Sequence, residues 1–197
     1  MKKVTKLLLA FAFVAFSLQP ASAAVSSAGL GFDILGSYYM PADTRYQGIG
    51  TGYALNIKLD DSLTMGYRVE ELDVRGEDAT PAGVQVTYNP VVTMQGITAY
   101  YRTLSSDRLA IDFGMWLGAA TSASFNSAGT IGVTSPLLEP LGRVTYTSSG
   151  KVDAHAALGV GYRFIRKFTI AVPFAGCADT LKNFDGLEIN FGVGLSF

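Results

Sequence analysis

The stretch "GLEINFGVGLSF", Gly186 to Phe197, decides the fold. Leu187, Ile189, Phe191, Val193, Leu195 and Phe197 share one parity; Glu188, Asn190, Gly192, Gly194 and Ser196 share the other. Successive side chains of a strand point to opposite faces, so a period of two predicts a strand with one apolar and one polar face. A helix would not sort the residues this way.

The same alternation recurs seven more times upstream. In the first segment Leu30, Phe32, Ile34, Tyr38 and Met40 oppose Gly31, Asp33 and Ser37. Tyr53 to Leu59 is the second, with Asn56 and Lys58 on the polar side, and Leu63 to Glu70 is the third, with Arg68 and Glu70. The fourth runs from Val84 to Thr103, with a bulge or an off-membrane extension expected between Pro90 and Gly96 and with Arg102 on its polar parity. Leu109 to Gly118 is the fifth, with Asp112 and Trp116 opposite the apolar set. The sixth is Val152 to Phe164, carrying Asp153, His155 and Arg163, and Phe168 to Phe174 is the seventh.

Short links "DDS", "SSDR" and "IRK" join segments two to three, four to five and six to seven. They alternate with longer ones: Pro41 to Thr51, Glu71 to Gly83, Thr121 to Gly150 and Ala175 to Asp185. Tight turns at one end and long loops at the other suit an up-and-down membrane barrel. The fold class expected is therefore all-β, an eight-stranded antiparallel up-and-down transmembrane β-barrel. One alternative has ten strands, with a hairpin at Asn89-Pro90; another is a soluble sandwich.

Composition agrees. The chain is 49% hydrophobic but only 16% charged, against about 25% charged in ordinary soluble domains. No run of 18 apolar residues exists downstream of the first segment, so no membrane helix is expected. Low charge without such a helix suits a barrel that faces lipid on one parity. Lys2, Lys3 and Lys6, the apolar run Leu7 to Leu18 and the small residues Ala21 and Ala23 predict a cleaved secretory signal peptide at 1–23. An uncleaved anchor is the alternative reading. Residues 24–197 then form a single barrel domain, acidic overall and without the basic stripe of a nucleic-acid binder. Cys177 is the only cysteine, so no internal disulfide can form.

The last eight residues resemble the C-terminal signal of bacterial outer-membrane barrels: polar, any, glycine, any, any, hydrophobic, any, aromatic. Asn190, Gly192, Leu195 and Phe197 fill it in order. Together with the expected signal peptide and eight segments, the chain resembles small OmpA-, OmpX- and OmpW-type barrels. The resemblance implies the outer membrane of a Gram-negative-type bacterium, with outer-membrane lipid and lipopolysaccharide around the barrel. It also implies that the barrel assembly machinery reads Asn190 to Phe197. Tyr162, Phe164, Phe168 and Phe197 are expected in the inner aromatic girdle; Tyr38, Tyr53 and Phe174 are expected in the outer one.

The polar parity is the expected lumen. It gathers the acids Asp33, Glu70, Asp112, Asp153 and Glu188, and the bases Lys58, Arg68, Arg102 and Arg163, with His155 beside them. An eight-stranded barrel is just wide enough for its side chains to fill. Stripping the partner from a buried charge costs about 3–5 kcal/mol. Near-balanced charge therefore predicts a salt-bridged plug, with a narrow OmpW-like conduit for small or apolar solutes as the alternative. Loops at 71–83 and 121–150 are the expected contact surfaces. No cofactor or metal motif is present: the P-loop, the dinucleotide fingerprint and paired histidines are all missing. An enzyme is not expected. A lipid A-modifying barrel would need a serine beside His155, and no serine lies two residues on.

Overall fold

The computed structural model describes residues 29–79, 85–88, 91–126, 129–148, 152–171 and 178–197. The expected signal peptide, Cys177 and Phe174 lie outside them, as does the side chain of Phe168. The strands are β1 Gly29–Pro41, β2 Tyr46–Lys58, β3 Leu63–Ala79, β4 Gln85–Tyr88, β5 Val91–Ser105, β6 Leu109–Asn126, β7 Gly129–Ser148, β8 Asp153–Ala171, β9 Ala178–Asn183 and β10 Gly186–Ser196. Neighbours in the chain pair antiparallel, and β10 returns to β1 and β8. β4 continues the line of β5 against β3, and β9 continues that of β10 against β8. Among the described residues the strands thus make eight staves and one closed barrel.

Closure runs from Pro41↔Gly186 to Gly31↔Ser196. Two further bonds finish it: Leu30 N donates to Phe197 O at 3.2 Å and Phe197 N to Leu30 O at 2.8 Å. Both described ends of the chain thus lie at one end of the barrel, the end of short turns, which is periplasmic in barrels of this class.

The expected segments and the strands differ in two compensating places. Residues 121–150 do not form a long loop: β6 continues to Asn126, and β7 stands in the remainder. Pro136 and Pro140 hid that strand. Both sit on its outward parity, and the β7–β8 ladder skips from Leu138↔Phe164 to Leu141↔Gly161 around Pro140, which has no N–H to donate. The turn expected at Ile165 to Lys167 does not exist either. β8 is one strand from the sixth segment into the seventh, as far as Ala171, and Ile165 is buried inside. The other long links are also largely strand: β2 begins at Tyr46, β3 runs to Ala79, and β9 occupies Ala178–Asn183. The outer end is therefore built from extended hairpins.

The outer face carries the apolar belt. Leu30, Ile34, Leu55, Ile97, Leu117, Leu158, Phe191 and Val193 are all more than half exposed, as lipid-facing residues are. On β3 the belt stops at Val69, because Glu71, Asp73 and Arg75 follow on the same exposed parity. Tyr162 and Phe164 correct the girdle assignment. Arg163 pairs with Gly186, and Gly186 pairs with Pro41 at the outer end of β1. These two aromatics, with ring centroids 4.9 Å apart, therefore belong to the outer rim. Tyr53 pairs with Ile34 at mid-belt rather than at the outer rim.

Inside, two glycines let β5 and β6 approach closely. Gly96 and Gly118 are direct partners. A Cβ on Gly118 would stand 2.1 Å from the Gln95 carbonyl oxygen, and one on Gly96 2.1 Å from that of Leu117. Overpacking of this kind costs about 1–3 kcal/mol. Gly118→Val should lower stability by about that amount in urea unfolding from vesicles, followed by Trp116 fluorescence. Gly142→Ala, whose Cβ would meet only the Phe113 ring at 3.4 Å, should change it by about 0.5 kcal/mol or less.

The turn between β2 and β3 is tied by Asp60. Its Oδ1 accepts from Ser62 N at 2.7 Å, Ser62 Oγ at 2.8 Å and Leu63 N at 2.7 Å. The Ser62 amide bond, then its hydroxyl, then the Leu63 amide hold this carboxyl below its ordinary value. Stabilisation from a lowered carboxyl is complete above the unfolded value of about 3.9 and is lost as pH falls through the folded value. Amide exchange at Ser62 and Leu63 should accelerate below about pH 4. Asp60→Asn should abolish that pH-dependent step.

Candidate functional site

The lumen is layered along the barrel axis. At its centre lie Arg68 and Glu70 on β3, Glu139 on β7, Arg163 on β8 and Glu188 on β10, each 2% exposed or less. Arg163 holds three carboxylates: Nε donates to Glu139 Oε2 at 2.7 Å, and Nη2 reaches Glu70 Oε1 at 2.8 Å and Glu188 Oε2 at 2.6 Å. Arg68 Nη2 donates to Glu188 Oε1 at 2.7 Å and also to Glu70, while Nη1 lies 3.9 Å from Glu139. Ser37 Oγ donates to Glu70 Oε1 at 2.6 Å. Arg68 lies 4.3 Å from the Trp116 ring centroid, and Arg163 lies 5.2 Å from that of Tyr39. Planar guanidiniums suit this position because each offers donors to several carboxylates at once. Gly161 makes room, since a Cβ there would stand 2.5 Å from Glu139 Oε1.

Toward the outer end most inward residues turn apolar, with the buried Ser122 and Ser135 set among them. On β3, Glu70 gives way to Leu72 and Val74; on β8, Arg163 to Ile165; on β7, Glu139 to Leu137; on β1, Ser37 to Tyr39. Val92, Met94, Ala120, Tyr46 and Phe184 complete this buried cap. The Tyr39 hydroxyl donates to the Phe184 carbonyl, and the two rings lie 5.2 Å apart.

Toward the termini the lumen opens into a polar vestibule of about 240 Å³, lined by Asp33, Asn56, Lys58, Arg102, Arg143, Thr145, Asp153, His155 and Ser196 among others. Arg102, Asp112 and Arg143 are consecutive partners across β5, β6 and β7. Each arginine Nε lies 3.1 Å from one oxygen of Asp112. Asp33 Oδ1 is 2.7 Å from His155 Nε2, and Asn56 Nδ2 donates to Asp33 Oδ2 at 2.9 Å.

The ten expected lumen residues thus fall into separate groups. Arg68, Glu70, Arg163 and Glu188 meet at the centre. Arg102 and Asp112 form one vestibule pair, and Asp33 and His155 another. Lys58 and Asp153 line the rim of the vestibule: Lys58 pairs at 3.0 Å with Asp61 in the turn, and Asp153 stands exposed at the first position of β8. Strand ends meet water, which leaves such charges at the rim. Glu139 and Arg143 escaped notice because β7 was read as loop, although Leu137, Glu139, Leu141 and Arg143 share one parity. Ser196 lies on the polar parity of the last segment, but nothing in the sequence joins it to His155. Its Oγ lies 3.4 Å from His155 Nδ1, from a strand far away in sequence. Of the terminal signal, Asn190 turns inward, whereas Leu195 and Phe197 face outward beside the chain end.

No protein-family model and no curated protein sequence matches the chain. Solved structures do match in fold. Neisserial surface protein A superposes with a TM-score of 0.54 at 14% identity, over 88% of this chain and 98% of that one. The N-terminal β-barrel domain of Pseudomonas aeruginosa OprF gives 0.51 at 12% identity, over 87% and 100%. The chain has the fold of the small outer-membrane β-barrels. Its apolar belt is that of a barrel that spans a membrane.

The central cluster yields a direct test. Removing one partner of a buried ion pair costs about 3–5 kcal/mol, because it strands the other charge. Arg163→Ala should destabilise the barrel by about that amount, measured by urea unfolding in vesicles. Replacing Arg163 with Met together with Glu139 and Glu188 with Gln should recover most of the loss.

Proposed function

We propose that the protein is a sealed, non-enzymatic barrel of the outer membrane that contributes to envelope structure and meets partners through its outer hairpins. The observation that carries this reading is the layered lumen. Crossing it would mean breaking the Arg68–Arg163 cluster and then entering the apolar cap of Tyr39, Leu72, Met94 and Phe184. An ion gains nothing in such a cap to offset its lost hydration. The charged exterior of β3, at Glu71, Asp73 and Arg75, supports a role above the bilayer for that hairpin. Outer-membrane lipid and lipopolysaccharide surround the belt. The assembly machinery reads Asn190, Gly192, Leu195 and Phe197, a role that suits the outward Leu195 and Phe197 at the closing seam.

His155 is the residue on which an enzymatic reading would turn. His155 also borders an apolar groove beside Phe32, Tyr146 and Leu195 on the outer face, but its Ser196 and Asp33 neighbours line the vestibule and not that groove. Refolded protein in planar bilayers should stay silent in single-channel recordings; steady openings would replace the sealed reading with the conduit. Lipid A mass spectra and ester hydrolysis should be unchanged by Ser196→Ala or His155→Ala. Activity lost in both variants would overturn the non-enzymatic reading.

A further inference from the structure

We propose that the vestibule is a binding site for a phosphate group, held between Arg102 and Arg143. The two guanidiniums are brought together by one carboxylate. Each spends only its Nε on Asp112, at 3.1 Å, so both terminal nitrogens of each arginine remain for a ligand. Asp112 supplies one negative charge against two positive ones. Asp112 is itself buried, Arg143 is 14% exposed and Arg102 32%. The Arg102–Asp112–Arg143 group thus carries one net positive charge, which favours an anion beside it.

The nearby acid does not compete. Both oxygens of Asp33 are engaged, one with His155 and one with Asn56. Asp153 stands at the exposed rim, where water and salt screen it.

A second observation points at the same ligand. Thr145 lines the cavity two residues beyond Arg143 on β7, and its buried Oγ1 has no hydrogen-bond partner in the protein. Buried hydroxyls are normally satisfied. A tetrahedral phosphate uses donors converging from several directions, here two guanidiniums and one hydroxyl, whereas a planar carboxylate is satisfied by a single fork. Arg143 is held in place for this role, with its guanidinium 3.7 Å from the Tyr100 ring centroid. The volume of about 240 Å³ is below the 300–1,000 Å³ typical of drug-sized pockets, so the site takes a small group rather than a large solute. It also opens at the end where the strands meet the inner leaflet. A lipid headgroup and free phosphate present the same chemistry there.

The test is titration of the refolded full-length barrel in micelles, read from the Arg102 and Arg143 side-chain Nε–H resonances. Inorganic phosphate should give saturable shifts at both, and acetate should bind at least tenfold more weakly. Saturation by a short-chain phosphatidylglycerol but not by inorganic phosphate would assign the phosphate to a lipid headgroup; the reverse would assign it to the free ion. Arg102→Gln should weaken binding at least tenfold. Thr145→Val, which removes a hydroxyl that bonds nothing in the protein and so leaves the fold intact, should weaken it severalfold. Arg45→Gln, in the outer turn, should leave it unchanged. No saturation by either probe, equal affinity for acetate, or undiminished binding in both vestibule variants would overturn the proposal.

Discussion

In hydrocarbon no water competes for the backbone, and an unpaired N–H or C=O there costs several kcal/mol. Every strand must therefore have two neighbours at membrane depth, and the sheet must close. β10 supplies that closure by lying between β8 and β1 over nearly its whole length. Once the ring exists, alternation does the rest: one parity meets lipid and the other has nowhere to go but the lumen. The central salt bridges, the apolar cap and the vestibule all follow from which residues the second parity carries at each height.

The lumen manages its contents by height. The charges deepest in the barrel sit together and pair across four strands. Those nearer the termini pair locally, strand to neighbouring strand, as Arg102, Asp112 and Arg143 do. Lys58, at the very edge, turns to its own hairpin turn. A charge left unpaired costs most where water is least, so the dense network belongs in the middle and loose pairs at the rim.

Much of this was legible in the residues. Strict alternation in Gly186–Phe197, Leu109–Gly118 and Val152–Phe164 identified strands and their inward faces, because sheet periodicity is set by backbone geometry. β7 was not legible. Two prolines on its lipid-facing parity interrupt the pattern, and their missing N–H groups are accommodated only because the ladder to β8 skips there. The turn expected at Ile165 to Lys167 failed for a related reason: a pair of basic residues resembles a turn but also suits a strand that has left the membrane. These errors offset in the strand count yet hid Glu139 and Arg143. Which charge meets which was beyond reach altogether, since Arg68 and Glu188 are 120 residues apart and meet only when the ring closes.

The β1–β2 hairpin ends at Pro41 and Tyr46, while β3, β6, β7 and β8 climb well past it. Among the described residues, β3 above Tyr46↔Gly76 has only β4 beside it, and the first residues of β7 have only β6. The mouth is therefore lopsided, with low ground on one flank and separate two-stranded ribbons on the other. Such ribbons have little cooperative connection to the cylinder beneath. Substitutions on these ribbons should therefore disturb the ring beneath them less than substitutions in the staves do.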